Sequence, residues 1–132
     1  MTVAALNGLD ILACDIQNAY LTAKCRENIW TIAGPEFGSE EGSLIIVKMA
    51  LYGLKSSGAA FRANLAGVIH DLLYVPSKAY PDVWIRLAVR PYGSEYYEMA
   101  LCYVDGVLII ATEPMKTIDG IRAVFKLKVN KA

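Results

Sequence analysis

The stretch Tyr96-Tyr-Glu-Met-Ala-Leu-Cys-Tyr-Val104, Asp105-Gly106, Val107-Leu-Ile-Ile-Ala111 decides the fold of this chain. Two apolar runs are separated here only by Asp105-Gly106, a dipeptide that strongly favours the tight turn of a β-hairpin. The stretch therefore predicts two strands, Tyr96–Val104 and Val107–Ala111, that pair in antiparallel fashion across an Asp-Gly turn.

Further strands and helices are predicted on both sides of this hairpin. The apolar run Leu9–Asp15 predicts a buried strand that ends in a carboxylate. Apolar residues at three- and four-residue intervals predict a long helix over Ser57–Tyr74, capped by Ser56 or Ser57 and ended by Pro76. Weaker signals predict a helical turn over Gln17–Ala23, strands over Ile29–Ile32, Ser43–Leu51 and Val83–Arg90, and a last helix that opens at Pro114.

This order of elements predicts one α+β domain over residues 1–132, with helices packed on one face of a mainly antiparallel sheet. Apolar residues make up 55% of the chain and charged residues 20%, so a single core can form. A disordered chain is therefore not expected.

Charge and cysteine patterns narrow the function classes. Thirteen Lys and Arg balance thirteen Asp and Glu, so the chain lacks the basic excess of a self-sufficient nucleic-acid binder. Cys14, Cys25 and Cys102 form no Cys-x-x-Cys pair, so neither a disulfide framework nor a zinc site is indicated. No basic leader is present and every apolar run is too short to cross a bilayer, so we expect an intracellular protein without a membrane partner.

Two carboxylates are the candidates for chemistry, because each follows an apolar strand. Asp15 comes after Ile-Leu-Ala-Cys and Asp105 after Leu-Cys-Tyr-Val. Carboxylates from two strands could share Mg²⁺, a hard cation that takes oxygen ligands. The alternative is structural, with Asp15 as a helix N-cap and Asp105 as a turn residue, and spacing alone favours it.

Longer blocks around these carboxylates resemble the reverse transcriptases of Ty1/copia-type retrotransposons. Four stretches carry the resemblance: Cys14-Asp15-Ile-Gln-Asn-Ala-Tyr20-Leu21, Ala50-Leu-Tyr-Gly-Leu-Lys-Ser-Ser-Gly58, Tyr80-Pro-Asp-Val-Trp84 and Cys102-Tyr-Val-Asp-Gly-Val-Leu-Ile109. The first, second and fourth resemble three of the family's blocks, in the family's order. The third resembles a further family segment between the last two blocks. The Leu-Tyr-Gly-Leu-Lys word is quite specific to this family. The resemblance implies a right-hand polymerase palm that copies RNA or DNA templates with two Mg²⁺ ions.

Carried over by position, the resemblance gives roles to eight residues. Asp15 and Asp105 would be catalytic metal ligands, with the Ile16 carbonyl as a further ligand. The nucleotide would meet Tyr20, Tyr52 and Gly53, where the Tyr20 ring excludes a 2′-hydroxyl and Gly53 allows close backbone approach. Tyr103 and Val104 would lie against the primer strand. The implied partners are template–primer, dNTPs and the remainder of a retrotransposon polyprotein, in a cytoplasmic virus-like particle or the nucleus.

The sequence also departs from the family pattern at its most important block. The family's Tyr-Val-Asp-Asp is Tyr-Val-Asp-Gly here, so Gly106 removes two ligand oxygens and one negative charge. Gly106 is expected to keep the turn through a positive φ. Ala59 replaces a frequent Arg and Tyr80 a frequent Asp. We therefore expect polymerase activity to be very low or absent.

The chain is expected to lack the N-terminal part of the fingers, the thumb and ribonuclease H. Such a palm would expose apolar surface, so poor solubility or self-association is expected. The competing hypothesis is a non-catalytic α+β interaction domain. Geometry separates the two hypotheses, because only the polymerase requires both carboxyl groups within reach of one cation.

Overall fold

The hairpin lies inside a six-stranded antiparallel sheet. The structure is a computed structural model that describes residues 4–5 and 8–131. Its helices and strands confirm the predicted α+β class. The strands of this sheet are β1 Asp10–Ile16, β4 Val75–Pro76, β5 Val83–Val89, β6 Glu95–Tyr103, β7 Gly106–Ala111 and β8 Leu127–Lys131. Their order across the sheet is β4-β5-β6-β7-β1-β8.

The chain forms two compact units. Unit 1 comprises Met1–Gln17 and Leu65–Ala132, and it holds the six-stranded sheet. Unit 2 comprises Asn18–Asn64 and contains the antiparallel pair β2 Trp30–Ile32 and β3 Leu44–Ile46, with 3₁₀ helices at Ala19–Thr22 and Pro35–Glu40. The long helix Ser57–Asp71 runs across the boundary.

One face of the sheet in unit 1 is buried under the short helix Pro114–Arg122, which packs on β1 and β7. Antiparallel partners share a face, so the pair Cys14–Val107 and the pair Leu12–Ile109 point to the same side. The core is formed by residues that the structure buries almost completely: Cys14, Ile16, Leu65, Ile69, Tyr74, Ala100, Val107, Ile109, Ile118, Ile121 and Phe125. No helix among the described residues has the length and apolar character needed to cross a membrane.

Arg86 on β5 ties three elements of unit 1 together. Its Nη2 donates to Glu98 Oε1 on β6 at 2.8 Å, and its Nη1 donates to the Leu72 carbonyl at 2.7 Å. The guanidinium also lies 4.4 Å from the centroid of the Tyr74 ring. Because Tyr74 Oη and Thr117 Oγ1 lie 3.0 Å apart, the network continues to the short helix.

The long helix ends earlier than predicted, at Asp71 instead of Tyr74. Leu73 takes a positive φ of 71°, and its N–H donates to the His70 carbonyl at 2.9 Å. The chain thus leaves the helix through a left-handed residue, a common way of satisfying terminal carbonyls. Pro76 does not end the helix. It lies in β4, where it pairs with Trp84 of β5.

The predicted cap of the long helix is also different. Ser57 is the first helical residue, and its hydroxyl donates to the Leu51 carbonyl at 2.6 Å. The Ser56 hydroxyl is buried and has no hydrogen-bond partner among the residues that the structure describes. Ser57 therefore anchors the preceding loop, whereas a side-chain cap from Ser56 does not form.

The hairpin turn is shifted by one residue from the prediction. β6 ends at Tyr103 and β7 begins at Gly106, so the two turn residues are Val104 and Asp105. Val104 adopts a φ of 50°, which for a β-branched residue costs about 1–2 kcal/mol. Gly106 has no positive φ and belongs to the strand. The expectation that Gly106 serves the turn is therefore wrong.

Candidate metal and nucleotide site

Asp15 lies directly opposite Gly106, on adjacent strands of unit 1. Asp15 is exposed near the end of β1, where its neighbours Cys14 and Ile16 point into the core. A Cβ at position 106 would lie 3.5 Å from Asp15 Oδ1 and 3.4 Å from the Tyr103 carbonyl oxygen. A side chain at 106 would thus stand beside the Asp15 carboxylate, in ordinary contact distance.

Asp105 lies at the same end of these strands. Its carbonyl oxygen accepts a hydrogen bond from the N–H of Ile16 at 2.9 Å, which joins the hairpin turn to the end of β1. Its side chain is partly exposed. The backbones of the two candidate residues therefore lie at one corner of the sheet and not on opposite edges.

Asp15 does not have the capping role that the structural alternative gave it. It lies within β1, and the residue that precedes the following 3₁₀ helix is Asn18, which forms no side-chain cap. Asp105 does occupy the turn. The structural alternative is therefore wrong for Asp15, whereas Asp105 lies in the turn where that alternative placed it.

A shallow groove of about 390 Å³ runs along the open face of the sheet beside this corner. Asp15 and Gly106 lie at the groove, together with Asp82, whose carbonyl accepts from the Cys102 N–H at 2.9 Å. Sequence reasoning gave Asp82 no role, although it lies in the Tyr80–Trp84 segment that carried the resemblance. The remaining lining is mainly apolar and comes from Ala13, Cys14, Val83, Leu101, Cys102, Tyr103, Val107 and Leu108.

The donor set at this corner suits a weak, hydrated cation site. No group of three or more His, Cys, Asp or Glu side chains that could hold a metal occurs among residues 4–5 and 8–131. Mg²⁺, however, is commonly bound by one or two carboxylates, with waters and substrate phosphates as its other ligands. Asp15 and Asp105 are the two carboxylate residues at this corner that could serve as such ligands.

Cys14 is adjacent to Asp15 but is not a candidate ligand. Burial, and then the nearby Asp15 carboxylate, raise the pKa of its thiol to about 11. Metal binding requires the thiolate, which is scarce at neutral pH when the pKa is this high. Cys14 is therefore a core residue, as expected for a buried free cysteine.

The two proposed primer-contact residues form the exposed tip of the hairpin. Tyr103 is 84% exposed and Val104 is 57% exposed. Val104 has a left-handed φ, so the backbone at the tip is strained. Backbone strain of this kind clusters at functional sites. An exposed aromatic ring and an apolar side chain here offer a contact surface to a ligand.

The proposed nucleotide-binding residues lie together in unit 2. The rings of Tyr20 and Tyr52 stack with centroids 4.5 Å apart, and Phe61 lies 6.1 Å from Tyr20. A Cβ at Gly58 would lie 3.4 Å from the Tyr20 hydroxyl. The Tyr20 ring is thus held between an exposed ring and a buried one.

Gly53 comes directly after Tyr52 in the chain and has a φ of 98°, a conformation that other residues rarely adopt. A Cβ there would meet no atom within 4 Å. The backbone conformation, rather than crowding, is therefore what requires glycine here. Asp15, Ile16, Asp105, Tyr103 and Val104 belong to unit 1, and Tyr20, Tyr52 and Gly53 belong to unit 2.

Comparison with known proteins gives one match. A family model described as reverse transcriptase (RNA-dependent DNA polymerase) matches residues 1–131. No curated protein and no solved structure matches the chain significantly.

Proposed function

This chain belongs to the reverse transcriptase (RNA-dependent DNA polymerase) family, and we propose that it is the palm of a Ty1/copia-type retrotransposon enzyme whose metal site is impaired by Gly106. The family binds nucleic-acid templates and dNTPs and generally uses Mg²⁺. The copia subtype rests on the Leu-Tyr-Gly-Leu-Lys word at 51–55 and the order of the motif blocks. In this proposal the palm is one segment of a retrotransposon polyprotein.

The observation that carries the proposal is the pairing of Asp15 with Gly106 beside Asp105. A metal-dependent polymerase needs carboxylates from separate segments at one point. The pairing of β1 with the hairpin supports such an arrangement, because a Cβ at position 106 would lie 3.5 Å from Asp15 Oδ1. The missing carboxylate therefore falls where a shared cation would be held.

In the proposed mechanism the cations would be held by Asp15, Asp105 and the Ile16 carbonyl. When bound, Mg²⁺ eases formation of the attacking 3′-oxygen and stabilises charge on the leaving pyrophosphate. Tyr103 and Val104 support the primer end at the hairpin tip. The Tyr20 ring, fixed by its stack on Tyr52, excludes a ribose 2′-hydroxyl. Without a carboxylate at position 106 the cation site has one charge fewer, so catalysis is impaired.

The site is tested by Mn²⁺ titration of the unchanged chain, with free Mn²⁺ measured by electron paramagnetic resonance. We expect weak binding, which Asp15→Asn reduces at least about tenfold because a charged ligand is lost. Asp10→Asn is the matched control, since Asp10 lies at the opposite end of the same strand. It should leave the affinity unchanged.

Two results would count against the proposal. One is the absence of Mn²⁺ binding in the millimolar range by the unchanged chain. The other is an equal loss of affinity in both variants, which would indicate only a general effect of net charge.

A further inference from the structure

The two-stranded sheet of unit 2 exposes an apolar face. Trp30 pairs with Ile46 and Ile32 pairs with Leu44, so all four side chains point to the same side. Their exposed fractions are 57%, 57%, 69% and 63% in that order. We call this surface of Trp30, Ile32, Leu44 and Ile46, on β2 and β3, the hairpin face; it does not belong to the β6–β7 hairpin.

A two-stranded sheet with such a face is incomplete in physical terms. An isolated hairpin is marginally stable in water, and it is normally covered by another layer or extended by further strands. Contiguous exposed apolar patches on soluble proteins commonly mark interaction sites. The hairpin face is therefore expected to be covered by a flat, apolar partner surface.

Charges at the two ends of this sheet identify the partner. The connection from β2 to β3 carries Glu36, Glu40 and Glu41 and has no basic residue between positions 34 and 43. The opposite end carries exposed Lys24, Arg26 and Lys48, with Glu27 as its acidic residue. Lys48 belongs to that end because its carbonyl accepts from the Cys25 N–H at 2.7 Å.

A surface that is apolar in the middle, acidic at one end and basic at the other is complementary to a reversed copy of itself. We propose that the hairpin face binds the hairpin face of a second copy of this chain. In this arrangement each strand of one copy runs antiparallel to the same strand of the other copy. A twofold axis across the strands places the acidic end of each copy over the basic end of the other. A twofold axis along the strands would instead place the acidic ends of the two copies over each other. Charge complementarity therefore favours the first arrangement. This inference does not depend on the proposed polymerase function.

Sedimentation equilibrium over a wide concentration range tests the surface. The unchanged chain should form a dimer, and Ile32→Lys should weaken it at least about tenfold, since it buries a charge in the apolar centre. Val124→Lys is the control, because Val124 is similarly exposed, at 61%, but lies in unit 1. A monomer at every concentration would overturn the proposal, and so would a dimer that Ile32→Lys leaves unchanged.

A charge exchange tests the antiparallel arrangement. Lys48→Glu and Glu41→Lys should each weaken the dimer by roughly tenfold at low salt, because each homodimer then has like charges opposed twice. A 1:1 mixture should regain the affinity, since both contacts in the mixed dimer are again between opposite charges. A mixture that associates no better than either variant alone would overturn the arrangement. Circular dichroism of each variant checks that these exposed substitutions leave the fold intact.

Discussion

In a protein that joins this chain to fingers and thumb segments, replacing Gly106 by aspartate should raise the single-turnover rate of primer extension at least about a hundredfold over the same protein with Gly106. The new carboxylate would start from a Cβ only 3.5 Å from Asp15 Oδ1 and would restore a charged ligand. The backbone can accept it, because Gly106 has no positive φ and its Cβ contacts are of ordinary length. The measurement uses primed RNA and primed DNA templates, dNTPs, Mg²⁺ and saturating protein.

Two controls separate ligand charge from shape. Gly106→Asn has nearly the same size but no charge, so it should give a far smaller gain. Asp15→Asn in the Gly106→Asp background should remove the gain, because the shared cation would lose the Asp15 carboxylate that faces position 106. Equal rates for the aspartate and asparagine variants would rule out the proposed role of position 106.

Replacing Arg86 by methionine should lower the free energy of unfolding by about 3 kcal/mol. Methionine fills similar space but leaves the Glu98 carboxylate, whose residue is only 7% exposed, without the cation 2.8 Å away. It also removes the donor to the Leu72 carbonyl and the contact with the Tyr74 ring. Partial exposure of Arg86 keeps the expected loss at the lower end for such pairs. Urea denaturation followed by circular dichroism measures it.

The matched control is Arg122→Met, which breaks the ion pair between Arg122 and Asp119. Both side chains are about half exposed, so solvent screens the pair and the loss should stay below about 0.5 kcal/mol. Similar losses for the two arginine variants would show that the Arg86 network does not stabilise the sheet as described.

Local sequence patterns were sufficient for the elements that bury a regular apolar face. The strand ending near Asp15, the long helix and both arms of the hairpin followed from periodicity and were confirmed. β8 was not predicted, because the short segment Leu127–Lys131 contains only two apolar residues, Leu127 and Val129. It forms a strand because β1 offers it a pairing edge, a long-range partner that local patterns do not show.

The turn error has a similar cause. Asp105-Gly106 is the favoured turn dipeptide, yet the register is set by the five residue pairs that join β6 to β7, from Met99–Ile110 to Tyr103–Gly106. Gly106 is also held opposite Asp15 on its other side. These pairings offset the strain of a positive φ at Val104.

The candidate site was only partly predictable. The acidic residues Asp15 and Asp105 could be selected from their position after apolar runs and from the motif blocks. That position 106 faces Asp15, and that Asp82 borders the same groove, depends on strand order in the sheet. The stack of Tyr20 on Tyr52 likewise joins residues 32 positions apart, and no local pattern encodes it.

Mn²⁺ affinity across four proteins tests most directly whether position 106 and Asp15 share a cation. The proteins are the unchanged chain, Gly106→Asp, Asp15→Asn and the double variant. We expect Gly106→Asp to raise the affinity at least about tenfold when Asp15 is present and less than about twofold when it is asparagine. An equal gain in both backgrounds would contradict a shared metal site.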